Sequence, residues 1–125
     1  MKAAIIDDEV RDQDRLAECF KRIRAELKEP MEVQKFLSGE EFLRAKDDSF
    51  DLICLDIDMK GKNGIQIAKE IRKNNTQVFI IYINLFLLSI HKSANAGISR
   101  IYGLFLTFLS VDTLHNSAYF RFNLP

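Results

Sequence analysis

The sequence predicts an α/β domain with a doubly wound, five-stranded parallel sheet, in which each strand is followed by a helix in a (βα)5 order. Two short apolar runs end in acidic residues, Lys2 to Asp7 and Phe50 to Asp56, and such runs are typical of strands covered on both faces. Charged segments with an apolar stripe at helical spacing follow these runs. Because crossover helices lie on both faces of a sheet, this alternation favours parallel strands. The 125 residues suit one domain, 1–125.

The next elements are predicted from helix and turn signals. The stripe of the first helix, from Glu9 to about Glu29, recurs at intervals of four, three and four residues: Leu16, Phe20, Ile23 and Leu27. Pro30 ends this helix, and Met31 to Phe36 is the second predicted strand. A capping box, Ser38-Gly39-Glu40-Glu41, then opens a short second helix.

The remaining elements follow the same alternation. Phe50 to Asp56 is the third predicted strand, and Asn63-Gly64 precedes a helix with Ile67, Ala68 and Ile71 on one face. Val78 to Ile83 is the fourth predicted strand. Three further elements are expected: a helix near Leu87 to Ala96, a strand near Arg100 to Leu106 and a helix near Val111 to Tyr119.

Composition excludes several function classes. The 18 basic and 18 acidic side chains balance, so no global positive field favours nucleic acid or an anionic membrane. After Asn75 only four charged residues follow, and the apolar run from Val78 to Ile90 is shorter than the ~20 residues of a membrane-spanning helix. Two cysteines and no signal-peptide pattern favour a reducing cytoplasm. We therefore expect a cytoplasmic domain that contacts neither nucleic acid nor membrane directly.

Four aspartates are the candidate site residues. Asp7 and Asp8 follow the first strand, Asp56 ends the third, and Asp58 lies just beyond it. Because ligand sites in doubly wound sheets lie past the carboxyl ends of the strands, these acids are expected to meet in one pocket. Clustered carboxylates with open positions suit Mg²⁺. The alternative is a solvated loop at a helix N-terminus, where acids are favourable on their own.

Three segments then match a known family in order and spacing: Ile6-Asp7-Asp8-Glu9, Asp51 to Met59, and Gly61 with Asn63-Gly64-Ile65. The chain resembles the receiver domain of two-component response regulators, particularly receivers that precede LytTR-type DNA-binding domains. The resemblance covers residues 1–83 and implies a flavodoxin-like fold.

The resemblance also implies a function and roles for individual residues. Asp56 would accept a phosphoryl group from a sensor histidine kinase. Asp8 would ligate Mg²⁺ directly, Asp7 mostly through water, Asp56 through one oxygen, and Asp58 through its main-chain carbonyl. The domain would be a signalling phosphoacceptor that assists its own phosphorylation and dephosphorylation, and not a turnover enzyme.

Residues 84–125 depart from the family pattern. Asn84 falls where receivers have a Thr or Ser that bonds the phosphoryl group, and Phe105 falls on their invariant lysine. Two explanations stay open: a reading-frame change near the fourth strand, or an authentic apolar helix-strand-helix face through which the domain dimerises. The alternative function is a switch-impaired pseudo-receiver that acts as a protein interaction module. The cognate kinase, the regulated process and the presence of an output domain also stay open.

Overall fold

The computed structural model describes residues 1–84, 87–90 and 103. Strands and helices alternate along the described chain: β1 (Lys2–Ile6), α1 (Val10–Leu27), β2 (Glu32–Phe36), α2 (Gly39–Ala45), β3 (Leu52–Asp56), α3 (Gly64–Asn74), β4 (Phe79–Asn84) and β5 (Leu87–Ile90). They form a sheet with the strand order β2-β1-β3-β4-β5. Strands β2, β1, β3 and β4 are parallel neighbours, which confirms the predicted parallel core of an α/β fold.

The sheet is covered on both faces because successive residues of its central strands point to opposite sides. On one face Ala3 and Ile5 of β1 pack with the buried stripe of α1. On the other face Ala4 and Ile6 pack with α2 and α3 through side chains such as Phe42 and Ile67. Both clusters are almost fully buried, so β1 and β3 are held rigidly and fix where their carboxyl ends lie.

Local signals set the helix ends. α1 ends at Leu27, slightly before the predicted end, because Lys28 adopts a left-handed conformation with φ 54° and its N–H donates to the main-chain carbonyl of Arg24. The Ser38 side chain caps α2 by accepting from the Glu41 N–H, as predicted, while the Glu41 carboxylate accepts from the Leu37 N–H. These capped ends place α2 directly after β2.

The segment after β4 differs from the prediction. A helix was expected near Leu87 to Ala96, but Leu87–Ile90 is a strand that pairs antiparallel with β4, with Leu87 opposite Asn84. The helix prediction is therefore wrong at these residues. One physical reason is that the periodicity of a short apolar run does not distinguish a helix from a strand. In addition, only two residues separate Asn84 from Leu87, which is enough for antiparallel pairing, whereas a parallel strand needs a long crossover.

The rest of the predicted (βα)5 order is not confirmed. The fifth described strand is antiparallel, so the sheet is not all parallel. Of the strand expected near Arg100 to Leu106 only Gly103 is described, and it is helical. The end of the predicted helix near Leu87 to Ala96 and the final helix near Val111 to Tyr119 lie outside the described residues. Within the described parts of the chain, no helix is long and apolar enough to cross a membrane.

Candidate functional site

Three of the four predicted site aspartates meet at the carboxyl edge of the sheet. β1 and β3 are direct neighbours, with Ile6 opposite Leu55, so the residues that follow each strand end side by side. One carboxylate oxygen each from Asp7, Asp8 and Asp56 lies within 4.8 Å of the other two. The structure thus brings these carboxylates together, while their role as metal ligands stays a prediction.

The fourth predicted residue, Asp58, contributes differently. Its side chain is exposed and is not part of the carboxylate cluster. Its main-chain N–H donates to Oδ1 of Asp56 at 3.1 Å, which places the Asp58 backbone beside the pocket. Asn84 ends β4 one position beyond Ile83, the partner of Asp56 in the sheet. The backbone of both residues therefore lies at the same edge as the cluster.

Main-chain N–H groups hold each carboxylate in place. Glu9 donates to Oδ1 of Asp7 at 3.0 Å, and Lys60 donates to Oδ2 of Asp8 at 3.0 Å. The second contact ties the loop after β3 to the loop after β1. Among the described residues, no Lys or Arg side chain forms an ion pair with Asp7, Asp8 or Asp56. The cluster is therefore held by main-chain groups, and no basic side chain in the described part of the chain compensates its negative charge.

Burial and mutual repulsion disfavour the charged form of two of these acids. Asp7 is only 2 % exposed. Its burial raises its pKa to about 7, and the nearby Asp56 carboxylate also raises it, against the lowering effect of the Glu9 N–H. Burial likewise raises the pKa of Asp56 to about 6, with the Asp8 carboxylate contributing. A group of oxygen donors that share uncompensated charge fits a divalent cation of the Mg²⁺ type.

Gly64 is a site residue for which sequence reasoning found only a helix start. A Cβ at this position would overlap the main-chain oxygen of Asp56, and the Gly64 N–H donates to the Ile57 carbonyl at 3.0 Å. α3 also begins here with a capping box formed by Asn63 and Gln66, which was not predicted. The absence of a side chain at Gly64 therefore allows α3 to pack against the backbone of Asp56.

Gln13 is a second residue that the sequence analysis missed. It is 4 % exposed, and its side-chain amide donates to the carbonyl oxygens of Asp7 and Phe36. A signal was present in the sequence, because Gln13 continues the apolar stripe of α1 one step before Leu16. A polar residue within a buried stripe indicates a specific hydrogen-bonding role.

The comparisons with known proteins agree on one family. The response regulator receiver domain family matches residues 3–99, so this chain belongs to that family, the signalling receivers of two-component systems. The chain is 33% identical to the sensory transduction protein LytT of Bacillus subtilis (strain 168) over 86 residues, which is 69% of this chain and 34% of LytT. The chain therefore spans about a third of the length of this curated relative.

Solved structures show the same fold. The isolated REC domain of RcsB from Salmonella enterica serovar Typhimurium, in the presence of phosphomimetic BeF3⁻, matches with a TM-score of 0.60 and 16% identity over 97% of this chain and 93% of that one. The crystal structure of the histidine kinase ThkA in complex with the response regulator protein TrrA matches with a TM-score of 0.57 and 22% identity over 98% and 85%. At these identities the likeness establishes the receiver fold.

Proposed function

We propose that this domain accepts a phosphoryl group on Asp56 from a sensor histidine kinase. Mg²⁺ would be held by the carboxylates of Asp8 and Asp56 and the carbonyl of Asp58, and by Asp7 mostly through water. One observation carries this proposal: the carboxylates that follow two neighbouring parallel strands converge to within 4.8 Å at the edge where doubly wound sheets bind ligands. The family and the likeness to receivers support it.

The chain supplies a positioned nucleophile. Oδ1 of Asp56 is held by the Asp58 N–H, and β3 and the Gly64 backbone fix the strand end that carries it. A carboxylate oxygen of Asp56 forms a bond to phosphorus while the bond from phosphorus to the imidazole nitrogen of the donor breaks. A bound Mg²⁺ would neutralise the charge that carboxylate and phosphoryl oxygens share during this transfer. Asn84, at the end of the adjacent strand, would donate a hydrogen bond to the phosphoryl group.

The surface around the pocket supports a protein partner. Within the described residues, the exposed large hydrophobic side chains are Val10, Leu37 and Ile65. Val10 begins α1, Leu37 follows β2, and Ile65 is the second residue of α3, so all three lie at the carboxyl edge. Apolar side chains grouped around a charged pocket favour a docking protein. The complex of ThkA with TrrA supports a histidine kinase as that protein.

The wider role follows from the relatives. The match to LytT and the LytTR-type sequence motifs support a place in a longer cytoplasmic regulator that controls transcription. Dimerisation through the C-terminal segment after β4 stays part of the proposal, although its first described residues, Leu87–Ile90, form a strand and not the predicted helix. No contact or distance among the described residues favours the alternative of a switch-impaired pseudo-receiver. The basis of that alternative is the sequence of the tail.

Phosphorylation by a small acyl phosphate tests the proposal. We expect the wild-type protein with acetyl phosphate and Mg²⁺ to gain the mass of one phosphoryl group, and Asp56→Asn to gain none. Asp48→Asn, which removes an exposed carboxylate away from the carboxyl edge, is the matched control and should be phosphorylated normally. An intact-mass spectrum in which Asp56→Asn still carries the adduct would refute Asp56 as the acceptor.

A further inference from the structure

Gln13 connects α1 to the ends of two strands. Its side-chain Nε2 donates to the Asp7 carbonyl at 2.9 Å and to the Phe36 carbonyl at 2.8 Å. An amide nitrogen carries two hydrogens, so both donors of Gln13 are used. The Phe36 carbonyl also accepts the Asp7 N–H at 3.1 Å. One buried side chain therefore bridges the carboxyl ends of β1 and β2.

These bonds fix the backbone from which Asp8 projects. The Asp7 carbonyl belongs to the planar peptide unit that joins Asp7 to Asp8, so an oxygen held at one point restricts the rotation of that plane. On the other side of Asp7, its N–H is held by Phe36, and its carboxylate is held by the Glu9 N–H. These bonds restrict the orientation of the peptide from which Asp8 continues, and Asp8 is one of the three converging carboxylates.

The location of Gln13 separates this role from ordinary core packing. Among the described residues, Asp7 and Gln13 are the buried polar residues, and the Gln13 side chain donates to the main-chain carbonyl of Asp7. An apolar side chain of similar length would fill the same space without the desolvation cost of an amide. The presence of a buried amide at this position is thus explained by its hydrogen bond to the Asp7–Asp8 peptide.

We propose that Gln13 is a positioning residue that sets the Mg²⁺ affinity of the site by orienting the Asp7–Asp8 peptide. The inference rests on the proposed function, because it assigns Gln13 a role at that same metal site. Groups that orient metal ligands commonly change metal affinity by ~10–100-fold when they are removed. Gln13→Met keeps the length of the side chain and removes both donors.

The test is a titration of the 125-residue chain with Mg²⁺ alone, in which NMR monitors the Lys60 amide, which donates to Asp8. We expect Gln13→Met to raise the Kd for Mg²⁺ about tenfold. Ile23→Val and Leu16→Ala, which remove apolar atoms from the buried face of the same helix, should leave that Kd unchanged. A Gln13→Met variant with a Kd within about twofold of wild type, or controls that shift equally, would overturn the role of Gln13.

A metal-free measurement keeps the two proposals distinguishable. Hydrogen exchange of the Glu9 amide, which donates to Asp7, should accelerate in Gln13→Met without Mg²⁺ and should stay unchanged in Ile23→Val. Unchanged exchange in Gln13→Met refutes the positioning role even if the site binds metal. Conversely, an Asp8→Asn variant that responds to Mg²⁺ as the wild type does would refute the proposed metal site. The exchange result would still decide what Gln13 does.

Discussion

Aspartates lie at both edges of this sheet, beside a lysine at the amino edge and beside one another at the carboxyl edge. At the amino edge, Nζ of Lys2 lies 2.6 Å from Oδ2 of Asp47, and this hydrogen bond together with those from Ser49 lowers the pKa of Asp47 to about 2. At the carboxyl edge, burial and neighbouring acids raise the pKa of Asp7 to about 7. An aspartate therefore stabilises the fold at the amino edge, whereas an aspartate at the carboxyl edge is held in an environment that disfavours its charge.

This difference indicates what each edge does. The negative charge of a paired surface carboxylate is balanced by a basic side chain of the protein. In an acidic cluster without such a side chain, a bound cation has to balance the charge. Stability is given up locally at the carboxyl edge, which is a common property of functional sites. Four experiments address this contrast, in order of decreasing expected effect.

Closing the space beside Asp56 should have the largest effect. Gly64→Ala places a Cβ against the Asp56 main-chain oxygen, which is rigid backbone, so we expect a loss of about 2–4 kcal/mol in the free energy of unfolding. Urea denaturation measures it. Gly103→Ala is the control, because the added Cβ meets no atom of the described residues within 4 Å there. Equal stability of both variants would mean that Gly64 does not constrain the strand end.

The pH dependence of stability should reveal the strain at the carboxyl edge. The pKa of Asp7 rises from 3.8 to about 7 on folding, and that of Asp56 rises to about 6. A raised folded pKa means that the native state binds the proton more tightly, so the associated stability is complete below pH ~4 and is lost as pH rises to ~7.

Without Mg²⁺ we therefore expect a loss of about 1–3 kcal/mol between pH 4 and pH 7. Asp7→Asn should reduce this loss and make the metal-free protein more stable than wild type at pH 8. Thermal or urea unfolding at a series of pH values measures both effects. A wild-type stability that rises across this range, with Asp7→Asn no more stable at pH 8, would contradict the strained state of Asp7.

Addition of Mg²⁺ should reverse the strain. A ligand that binds only the folded protein adds about 1.4 kcal/mol at ten times its Kd, which calorimetric melting at pH 8 detects as a rise in Tm. Asp8→Asn should lose this response. Asp58→Asn should keep it, because the Asp58 carboxylate is exposed and outside the cluster. Equal responses from both variants would argue against a site built as proposed.

Breaking the pair at the amino edge should have the smallest effect and the opposite pH dependence. Because the pKa of Asp47 is lowered on folding, its contribution is present above pH ~4 and is lost as pH falls towards 2. Asp47→Asn should cause only a small loss of stability at pH 7, which shrinks in high salt because the pair is exposed to solvent. Its Mg²⁺ response should equal that of wild type, and a weakened response would show that the two edges are coupled.

Much of the fold was predictable because its signals are local. The stripe of α1, the Ser38 cap and the apolar runs of β1, β3 and β4 each depend on residues close together in sequence. The convergence of Asp7, Asp8 and Asp56 was also predictable, since parallel neighbours end at one edge. The metal and phosphoryl roles of these residues stay predictions.

The sequence by itself predicted that the first four strands are parallel and that the acids after β1 and β3 meet. Apolar runs are local signals, and strands joined by crossover helices run parallel. Only the tertiary structure decided that Leu87–Ile90 pairs with β4 as a strand, that Gly64 lies against the Asp56 backbone, and that Gln13 bonds to Asp7 and Phe36. The physical reason is that a short apolar run, a glycine or a glutamine is compatible with several local structures and contacts. The packed neighbour and its unpaired hydrogen-bonding groups select among them.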